Sequence, residues 1–295
     1  MPSKFFRAHP YILAVAFMVI STASFSTMNV FIRFATDELH TTMIVFLRNI
    51  ITLIMLLPWA CKANFALMRT TRLKSHFWRA TVGVIGMQGW FYCIATLPLN
   101  HATALSFTAP VFSTLFAVLF LREKADIWHW LAMVLGFVGV LIILRPAGAD
   151  FTPTSLVVLF TTSIWAMAGM LVKSLTNTES PLRIVFFMVV FMTMWSLPPA
   201  FMHWHWPSLP TLGFVCVIAV FAFFAQLFLA KAYSMADVVK LVPYDFMRLI
   251  FTAIGAYLAF GETTDIYTWV GAAIIIASAL MNARRDAKSS EVPVA

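Results

Sequence analysis

The sequence predicts an all-α integral membrane protein in which ten transmembrane helices form two inverted five-helix repeats around a central cavity. Composition is the first observation: 61% of the 295 residues are hydrophobic and 11% are charged, whereas a soluble domain carries about 25% charged residues. The second observation is a nearly unbroken series of apolar segments of membrane-spanning length. The third is an internal repeat. A soluble protein of this composition would lack the polar surface to cover even one domain.

Ten segments have the length that a helix needs to cross the hydrocarbon layer, about 20 mostly apolar residues for roughly 30 Å. The predicted spans are 11–34, 43–60, 77–97, 102–121, 127–144, 154–174, 182–201, 210–230, 236–260 and 266–283. The first span is too long and too rich in Ser and Thr for a cleaved signal peptide. We therefore expect it to remain in the mature protein, which would begin where the sequence does.

The positive charges predict the topology, because basic residues beside a span are retained in the cytoplasm. With the N-terminus inside, all but four of the 20 Lys and Arg residues fall in or beside cytoplasmic segments. The exceptions are Arg33, Arg48, Arg145 and Arg248, while Arg79 is counted with the cytoplasmic loop before the third span. Both termini are therefore expected in the cytoplasm. Since topology accounts for the net charge of +8, we expect no nucleic-acid partner.

The two halves of the chain resemble each other when one is shifted by about 140 residues along the other. The segment AVLFLREKADIWHW (117–130) aligns with AYLAFGETTDIYTW (256–269), which places Glu123 on Glu262. Because each unit has an odd number of spans, the second unit enters the membrane from the opposite side. We predict a first repeat at 1–148, a second at 149–286 and a polar cytoplasmic tail at 287–295. Two such bundles can alternate between inward-open and outward-open forms around a midplane site.

Two segments carry a resemblance to a known family. FTAPVFSTLFAVLFLREK ends the fourth span and VPYDFMRLIFTAIGAYLAFGE forms the ninth, with F-x-x-E and F-G-E endings at matching places. With five plus five spans, the chain resembles the EamA family of the drug/metabolite transporter superfamily over residues 11–283. The resemblance implies a multi-pass carrier of the bacterial inner membrane that moves amino acids, their derivatives or other small metabolites. LHTTMIVFLRN and GMQGWFYCIATLPLNHATALSFTAPVF are further similar to members that carry S-adenosylmethionine or amino-acid-like metabolites.

Ionisable side chains inside the predicted spans are the first candidates for a substrate site, because the membrane makes them costly. Asp245 and Arg248 lie three residues apart on the ninth span. Asp245 would meet a substrate ammonium or a coupled proton, and Arg248 a carboxylate; alternatively the two form an ion pair that only satisfies both charges. Arg48, beside Asn49, offers a fork for a carboxylate or phosphate, or snorkels to the interface.

Amide and aromatic side chains complete the predicted substrate site. Asn29 and Gln88 can orient a polar ligand, or they can hydrogen-bond between helices. The aromatic candidates for an apolar or cation–π wall are Trp90, Tyr92, Trp165 and Tyr244. Pro110 and Pro243 occupy similar places in the two halves, where they predict either broken helices beside the cavity or packing kinks.

Other residues are expected to build the fold rather than to bind substrate. Glu123 and Glu262 end equivalent helices and are expected to fix loops. Small residues at helix-packing spacing predict close backbone contact; they include Gly83, Gly86, Gly89, Gly136 and Gly139. The three cysteines, Cys61, Cys93 and Cys216, are odd in number and lack CxxC spacing, which favours neither a disulfide framework nor a zinc site.

These patterns predict a secondary transporter rather than an enzyme. The sequence contains no GxxxxGK[ST] loop, HExxH helix or GxSxG elbow, so we expect no cofactor, no metal and no ATP-driven step. The expected partners are a small-molecule substrate and the lipid bilayer, with proton coupling through Asp245 as a hypothesis. The expected substrate is an amino acid or a derivative such as S-adenosylmethionine. The alternatives are facilitated exchange without ion coupling, export of drug-like or vitamin-like compounds, and an integral membrane enzyme.

Overall fold

The computed structural model describes residues 10–62, 69–106, 108–109, 111–112, 115–116, 127–144, 152–236, 241, 244–245 and 247–289. Within these residues the chain forms α-helices and no β-strand. The helices are α1 (Pro10–Ala35), α2 (Thr41–Lys62), α3 (Leu73–Thr96), α4 (Leu99–Ser106), α5 (Ile127–Leu144), α6 (Pro153–Thr176), α7 (Pro181–Met202), α8 (Leu209–Met235), α9 (Met247–Phe260) and α10 (Ile266–Ser289).

Each of these helices corresponds to one predicted span. Two run five or more residues past their predicted ends: α8 reaches Met235, and α10 reaches Ser289, so the start of the predicted polar tail is helical. The fourth and ninth predicted spans are described in part, as α4 and α9 with short helical pieces beside them. Pro110, Pro243 and Glu123 lie outside the described residues.

Five helices of the described chain are long and apolar enough to cross a membrane by length and composition, namely α1, α2, α6, α7 and α8. Shorter apolar stretches lie in α5, α9 and α10. Helix α3 has 24 residues, which is a spanning length, but its first two turns carry Lys74, His76 and Arg79.

Local sequence explains several helix ends. Helix α7 begins after Ser180, whose hydroxyl accepts a hydrogen bond from the Arg183 backbone N–H at 3.4 Å. Pro153 and Pro181 occupy first-turn positions of α6 and α7, where the missing N–H removes no helical hydrogen bond. Helix α9 ends at Phe260, and the next residue, Gly261, has a φ of 66°, in the left-handed region that glycine adopts without a Cβ penalty.

The two halves interleave in a symmetric way. Helix α1 packs against α8, and α6, the equivalent of α1, packs against α3, the equivalent of α8. Helices α2 and α7 pack against each other, as do the equivalent helices α5 and α10. Contacts between the halves therefore recur when the halves are exchanged, as two inverted five-helix repeats require.

The loops gather at two ends of the bundle. At one end, called the Glu38 end, Glu38 binds Ser208 and Glu262 binds the backbone N–H of Leu99. At the other, called the Glu179 end, Glu179 binds Thr70. The predicted topology requires this grouping of loops, and the assignment of the Glu179 end to the cytoplasm stays a prediction.

Glycines bring helix backbones into contact, as their spacing predicts. A Cβ on Gly139 of α5 would lie 2.7 Å from the carbonyl oxygen of Gly271 in α10, and a Cβ on Gly271 would lie 2.6 Å from the carbonyl oxygen of Gly139. Both distances are shorter than any normal van der Waals contact. Helices α5 and α10 therefore touch through their main chains, with no room for a side chain between them.

We expect Gly271→Ala to destabilise the protein by about 1–3 kcal/mol, because the added methyl group must push two backbones apart. The measurement is thermal unfolding of the detergent-purified protein. The matched control is Gly213→Ala in α8, since a Cβ there meets no atom within 4 Å; this variant should keep or slightly raise the melting temperature. Equal melting temperatures for the two variants would contradict the backbone contact.

Candidate substrate site

The centre of the candidate site lies on one buried face of α3. Arg79, Gly83, Met87 and Trp90 follow one another at intervals of four, four and three residues and are all buried. Residues at these intervals share one side of an α-helix. Helices α1, α2, α6 and α7 all contact α3, so side chains from both halves of the chain meet this face.

Arg48 of α2 reaches this face from the first half of the chain. The residue is 2% exposed, and its Nη1 donates to Asn49 Oδ1 at 3.0 Å and lies 2.9 Å from Met87 Sδ. Its Nε and the Asn49 Nδ2 have no hydrogen-bond partner in the described part of the chain. The guanidinium therefore points into the bundle, and the alternative of an interfacial snorkel does not match its position.

Arg79 is a second buried cation, which the sequence analysis placed among the loop charges. It is 6% exposed, and its Nη2 lies 3.6 Å from Met188 Sδ of α7. Its Nε and Nη1 have no hydrogen-bond partner among the described residues. The Arg79 guanidinium lies over Gly83, and Arg48 contacts Met87 one turn farther along the same face of α3. The signal for Arg79 was its position inside the predicted span 77–97.

An aromatic pair lies one turn farther along α3. The Trp90 Nε1 donates to Asn29 Oδ1 of α1 at 3.1 Å, and the Trp90 ring lies 4.9 Å from that of Trp165 in α6, with 48° between the planes. Trp165 packs against the α3 backbone, where a Cβ on Gly86 would come within 2.9 Å of it. The structure thus brings Asn29, Trp90 and Trp165 together as predicted neighbours of the site.

Two other candidates on α3 occupy different surroundings. Both amide atoms of Gln88 are buried without a hydrogen-bond partner in the described regions, so the alternative of an interhelical hydrogen bond is not seen there. Tyr92 is 47% exposed and lies two residues from Trp90, which turns it to the opposite side of the helix. Tyr92 is therefore not brought together with the other candidates, and its role stays a prediction.

Asp245, Arg248 and Tyr244 form a separate group around the start of α9. Arg248 Nη2 donates to Asp245 Oδ2 at 3.0 Å, so the ion pair that the sequence left as an alternative is present. The Asp245 side chain is 31% exposed, which leaves it open to a proton or a cation. Tyr244 hydrogen-bonds with Tyr11 of α1.

Helix α1 joins the two groups of candidates. The Ser26 hydroxyl donates to the Arg248 carbonyl oxygen at 3.1 Å, and Asn29, one turn later, accepts from Trp90. Thr252 of α9 also hydrogen-bonds to Ser26, at 3.0 Å. A movement of α1 therefore changes the surroundings of both groups.

The F-G-E ending of α9 has a clear physical role. Phe260 lies beneath the Arg33 guanidinium, 4.9 Å from ring centroid to Cζ. Gly261 turns the chain so that Glu262 accepts from Arg33 and, at 3.0 Å, from the Leu99 backbone N–H at the start of α4. Glu262 thus fixes a loop, as expected, and satisfies one N–H that a helix start leaves without an internal partner.

Two carboxylates hold the halves together at opposite ends of the bundle. Glu38, from the first half, accepts from the backbone N–H and hydroxyl of Ser208, both at 2.6 Å, and from Thr211 at the start of α8. Glu179, from the second half, accepts from Thr70 just before α3. The two clamps are equivalent under exchange of the halves.

Hydrogen bonding sets the protonation of both carboxyls. Hydrogen bonds from Ser208, then Thr211, lower the pKa of Glu38 to about 2. Burial alone would raise the pKa of Glu179, but hydrogen bonds from Arg183, at 2.6 Å, and from Thr70 lower it. Both groups are therefore carboxylates at neutral pH.

We expect Glu38→Gln to lower the melting temperature near neutral pH, and the gap to the unsubstituted protein to shrink on acidification. The folded pKa is below the unfolded value of roughly 4.3, so the carboxylate stabilises the fold above that value and ceases to do so as pH falls toward the folded pKa. Thermal unfolding between about pH 6 and pH 3 tests this. The control is Asp37→Asn, an exposed neighbour in the same loop; a constant gap for Glu38→Gln would contradict the clamp.

Comparison with known proteins places these features in a family. The chain is 30% identical over 279 residues to an S-adenosylmethionine uptake transporter of Rickettsia prowazekii (strain Madrid E), covering 95% of each chain. It is 31% identical over 281 residues to a riboflavin transporter of Brucella anthropi, covering 92% of this chain and 99% of that protein. A pseudopaline exporter of Pseudomonas aeruginosa is 26% identical over 273 residues, covering 92% and 95%.

The fold and the repeat are also matched. A solved crystal structure superposes with a TM-score of 0.64, covering 92% of this chain and 99% of that chain at 14% identity. The profile of the EamA-like transporter family matches residues 12–145 and again residues 152–284, so each half of the chain carries one copy. The chain belongs to the EamA-like transporter family of the drug/metabolite transporter superfamily, and it is a multi-pass membrane transporter of small metabolites, not an enzyme.

Proposed function

We propose that this protein is a secondary transporter that moves an amino-acid-derived metabolite of the S-adenosylmethionine type across the inner membrane by alternating access. The relatives named for S-adenosylmethionine support this class at 30–31% identity over more than 90% of the chain. The motion is a rocking of the two interleaved halves, with substrate between them. The same inverted architecture serves alternating access in other secondary transporters.

The single observation that carries the proposal is the buried guanidinium of Arg48 near the Trp90–Trp165 pair. Met87, which contacts Arg48, and Trp90 are one turn apart on α3. A guanidinium offers a planar fork that matches a carboxylate, and the face of an indole ring can stack on a planar heterocycle. A metabolite that joins an amino-acid carboxylate to a purine ring presents both groups.

Asp245 is the proposed contact for positive charge. Its carboxylate is paired with Arg248 at 3.0 Å but keeps part of its surface open. A substrate ammonium or sulfonium would compete with Arg248 for it, and a proton arriving there would release Arg248. Proton coupling through Asp245 therefore remains our hypothesis for the energy source, with exchange without ion coupling as its alternative.

A vitamin-type substrate is the second candidate. Riboflavin transporters of Brucella anthropi and Vibrio cholerae are 31% and 30% identical to the chain. The Trp90–Trp165 pair supports an isoalloxazine ring as well as an adenine ring, so this pair does not distinguish the two substrates. Arg48 does, because riboflavin is uncharged and has no carboxylate to bind.

Reconstituted proteoliposomes test the proposal through uptake of radiolabelled S-adenosylmethionine and of riboflavin. We expect saturable uptake of S-adenosylmethionine, reduced about tenfold or more in Arg48→Gln because a charge-assisted hydrogen bond is lost. The matched control is Arg69→Gln, which removes an exposed positive charge and should leave uptake unchanged. Saturable uptake of riboflavin alone, insensitive to Arg48→Gln, would replace this proposal with the vitamin-type function.

A pH gradient across the same vesicles tests Asp245. We expect Asp245→Asn to retain exchange between internal and external substrate but to lose stimulation by an imposed proton gradient, because an amide does not titrate. Gradient-stimulated uptake with an unchanged pH profile in Asp245→Asn would exclude this residue as the coupling site. Trans-stimulation that persists in the unsubstituted protein after the gradient is collapsed would favour exchange without ion coupling.

A further inference from the structure

We propose that Arg48 and Arg79 form one two-guanidinium anion site between α2, α3 and α7, which binds a carboxylate or phosphate group of the transported molecule. This inference rests on the proposed transport function and names the substrate class: an anionic or zwitterionic compound rather than a neutral one. Arg79 is the new member of the site. From its place in the sequence it was expected to be a loop charge and not a binding residue.

The guanidinium groups of Arg48 and Arg79 both lie against α3. A Cβ on Gly83 would lie 2.4 Å from Arg79 Nη1, so the Arg79 guanidinium lies over Gly83. Arg48 meets the same helix at Met87, one turn farther on. Both guanidinium groups therefore contact residues of the same face of α3 that are one turn apart, and the proposed anion lies between them.

Within the described regions of the chain, no carboxylate pairs with either guanidinium group. The groups that meet the two guanidiniums there are the thioethers of Met87 and Met188 and the amide oxygen of Asn49. Thioether sulfur is a weak hydrogen-bond acceptor. Burial of an uncompensated charge is strongly unfavourable, and two such charges repel each other. An anion between them would remove both penalties at once.

Both arginines and Asn49 have hydrogen-bond donors that the described part of the protein does not use. Arg48 Nε, Arg79 Nε, Arg79 Nη1 and Asn49 Nδ2 are all buried and have no hydrogen-bond partner among the described residues. Together these donors, on two guanidinium groups and one amide, match the lone pairs of a carboxylate or a phosphate. Gly83 contributes by having no side chain, because a Cβ there would meet Arg79 Nη1 and, at 2.3 Å, Met192 Cε.

The two arginines and the methionines beside Arg79 come from different halves of the chain. Arg48 and Arg79 belong to the first repeat, whereas Met188 and Met192 belong to α7 of the second. An anion at this place lies at the contact between α3 and α7. Binding of the anion therefore changes the net charge at an interface between the halves. The two sides of this interface must slide past each other when the carrier changes its access.

The experiment compares the stability of the purified full-length protein with and without anionic probes. The probes are malonate and inorganic phosphate at constant ionic strength, and the matched pair S-adenosylmethionine and its decarboxylated form. A ligand that binds the folded state raises the melting temperature in proportion to its affinity. We expect malonate or phosphate to stabilise the unsubstituted protein, and S-adenosylmethionine to bind about 10- to 100-fold more tightly than its decarboxylated form.

Arg79→Met is the decisive variant, because we expect it to keep or raise the stability of the unliganded protein and to remove the stabilisation by an anion. Without a ligand its melting temperature should equal or exceed that of the unsubstituted protein, since an apolar side chain of similar volume replaces an uncompensated buried charge. With malonate or phosphate the stabilisation should disappear. A purely structural role for Arg79 predicts the reverse in the unliganded protein, a loss of stability.

Gly83→Ala and Gly169→Ala supply a second test that keeps both arginines. The first fills the space beneath Arg79 and should weaken anion binding, whereas Gly169 faces open space and should not affect it. Binding of malonate alone identifies the group as a carboxylate, and binding of phosphate alone as a phosphoryl group. Anion stabilisation that persists in Arg79→Met, or none in the unsubstituted protein, overturns the inference.

These outcomes separate this inference from the transport proposal. If S-adenosylmethionine is not transported, malonate and phosphate still report on the anion site. If S-adenosylmethionine is transported at an unchanged rate and affinity by Arg79→Met, the transport proposal stands and the two-arginine site is excluded.

Discussion

The hydrocarbon layer supplies no hydrogen bonds, so a polar group within it must find its partner inside the protein, and the rest of this structure depends on that constraint. Hydroxyl groups along the helices meet it locally: Thr22, Ser24 and Thr27 of α1 all bond to backbone carbonyls three or four residues earlier. Asn29 meets it across helices by pairing with Trp90. The exceptions within the described chain concentrate around α3, where Arg48 and Arg79 keep donors unused. We propose that these unused donors bind a ligand.

The inverted repeat explains why the site lies where the halves interleave. Because α1 pairs with α8 and α6 with α3, the buried face of α3 is covered by helices of both repeats. The same symmetry provides a clamp at each end, with Glu38 on the start of α8 and Glu179 on Thr70 before α3. In a carrier that alternates its access, opening either end must break the clamp at that end.

Composition, apolar segment length and the similarity of the two halves were sufficient to predict the all-helical fold and the two repeats. They succeed because a bilayer leaves few alternatives to a helix of about 20 residues. The sequence also singled out Arg48, Asn29, Trp90 and Trp165 as candidates, since strongly polar or aromatic residues stand out within apolar segments. Arg79 was missed because loop charges and the first turns of a span look alike in sequence. Tyr92 was included because span position alone does not say which side of a helix faces the protein.

The sequence by itself determined the class of protein, its all-helical character and the repeated unit, because hydrophobicity and internal similarity are properties of the linear chain. Only the tertiary structure decided which polar residues meet. Arg48 and Arg79 lie 31 residues apart and belong to different helices, and the rotation of each helix about its axis set whether their guanidinium groups converge or diverge. That rotation follows from packing, such as the approach of Trp165 to Gly86. Packing depends on the shapes of many side chains together, which no local pattern in the sequence encodes.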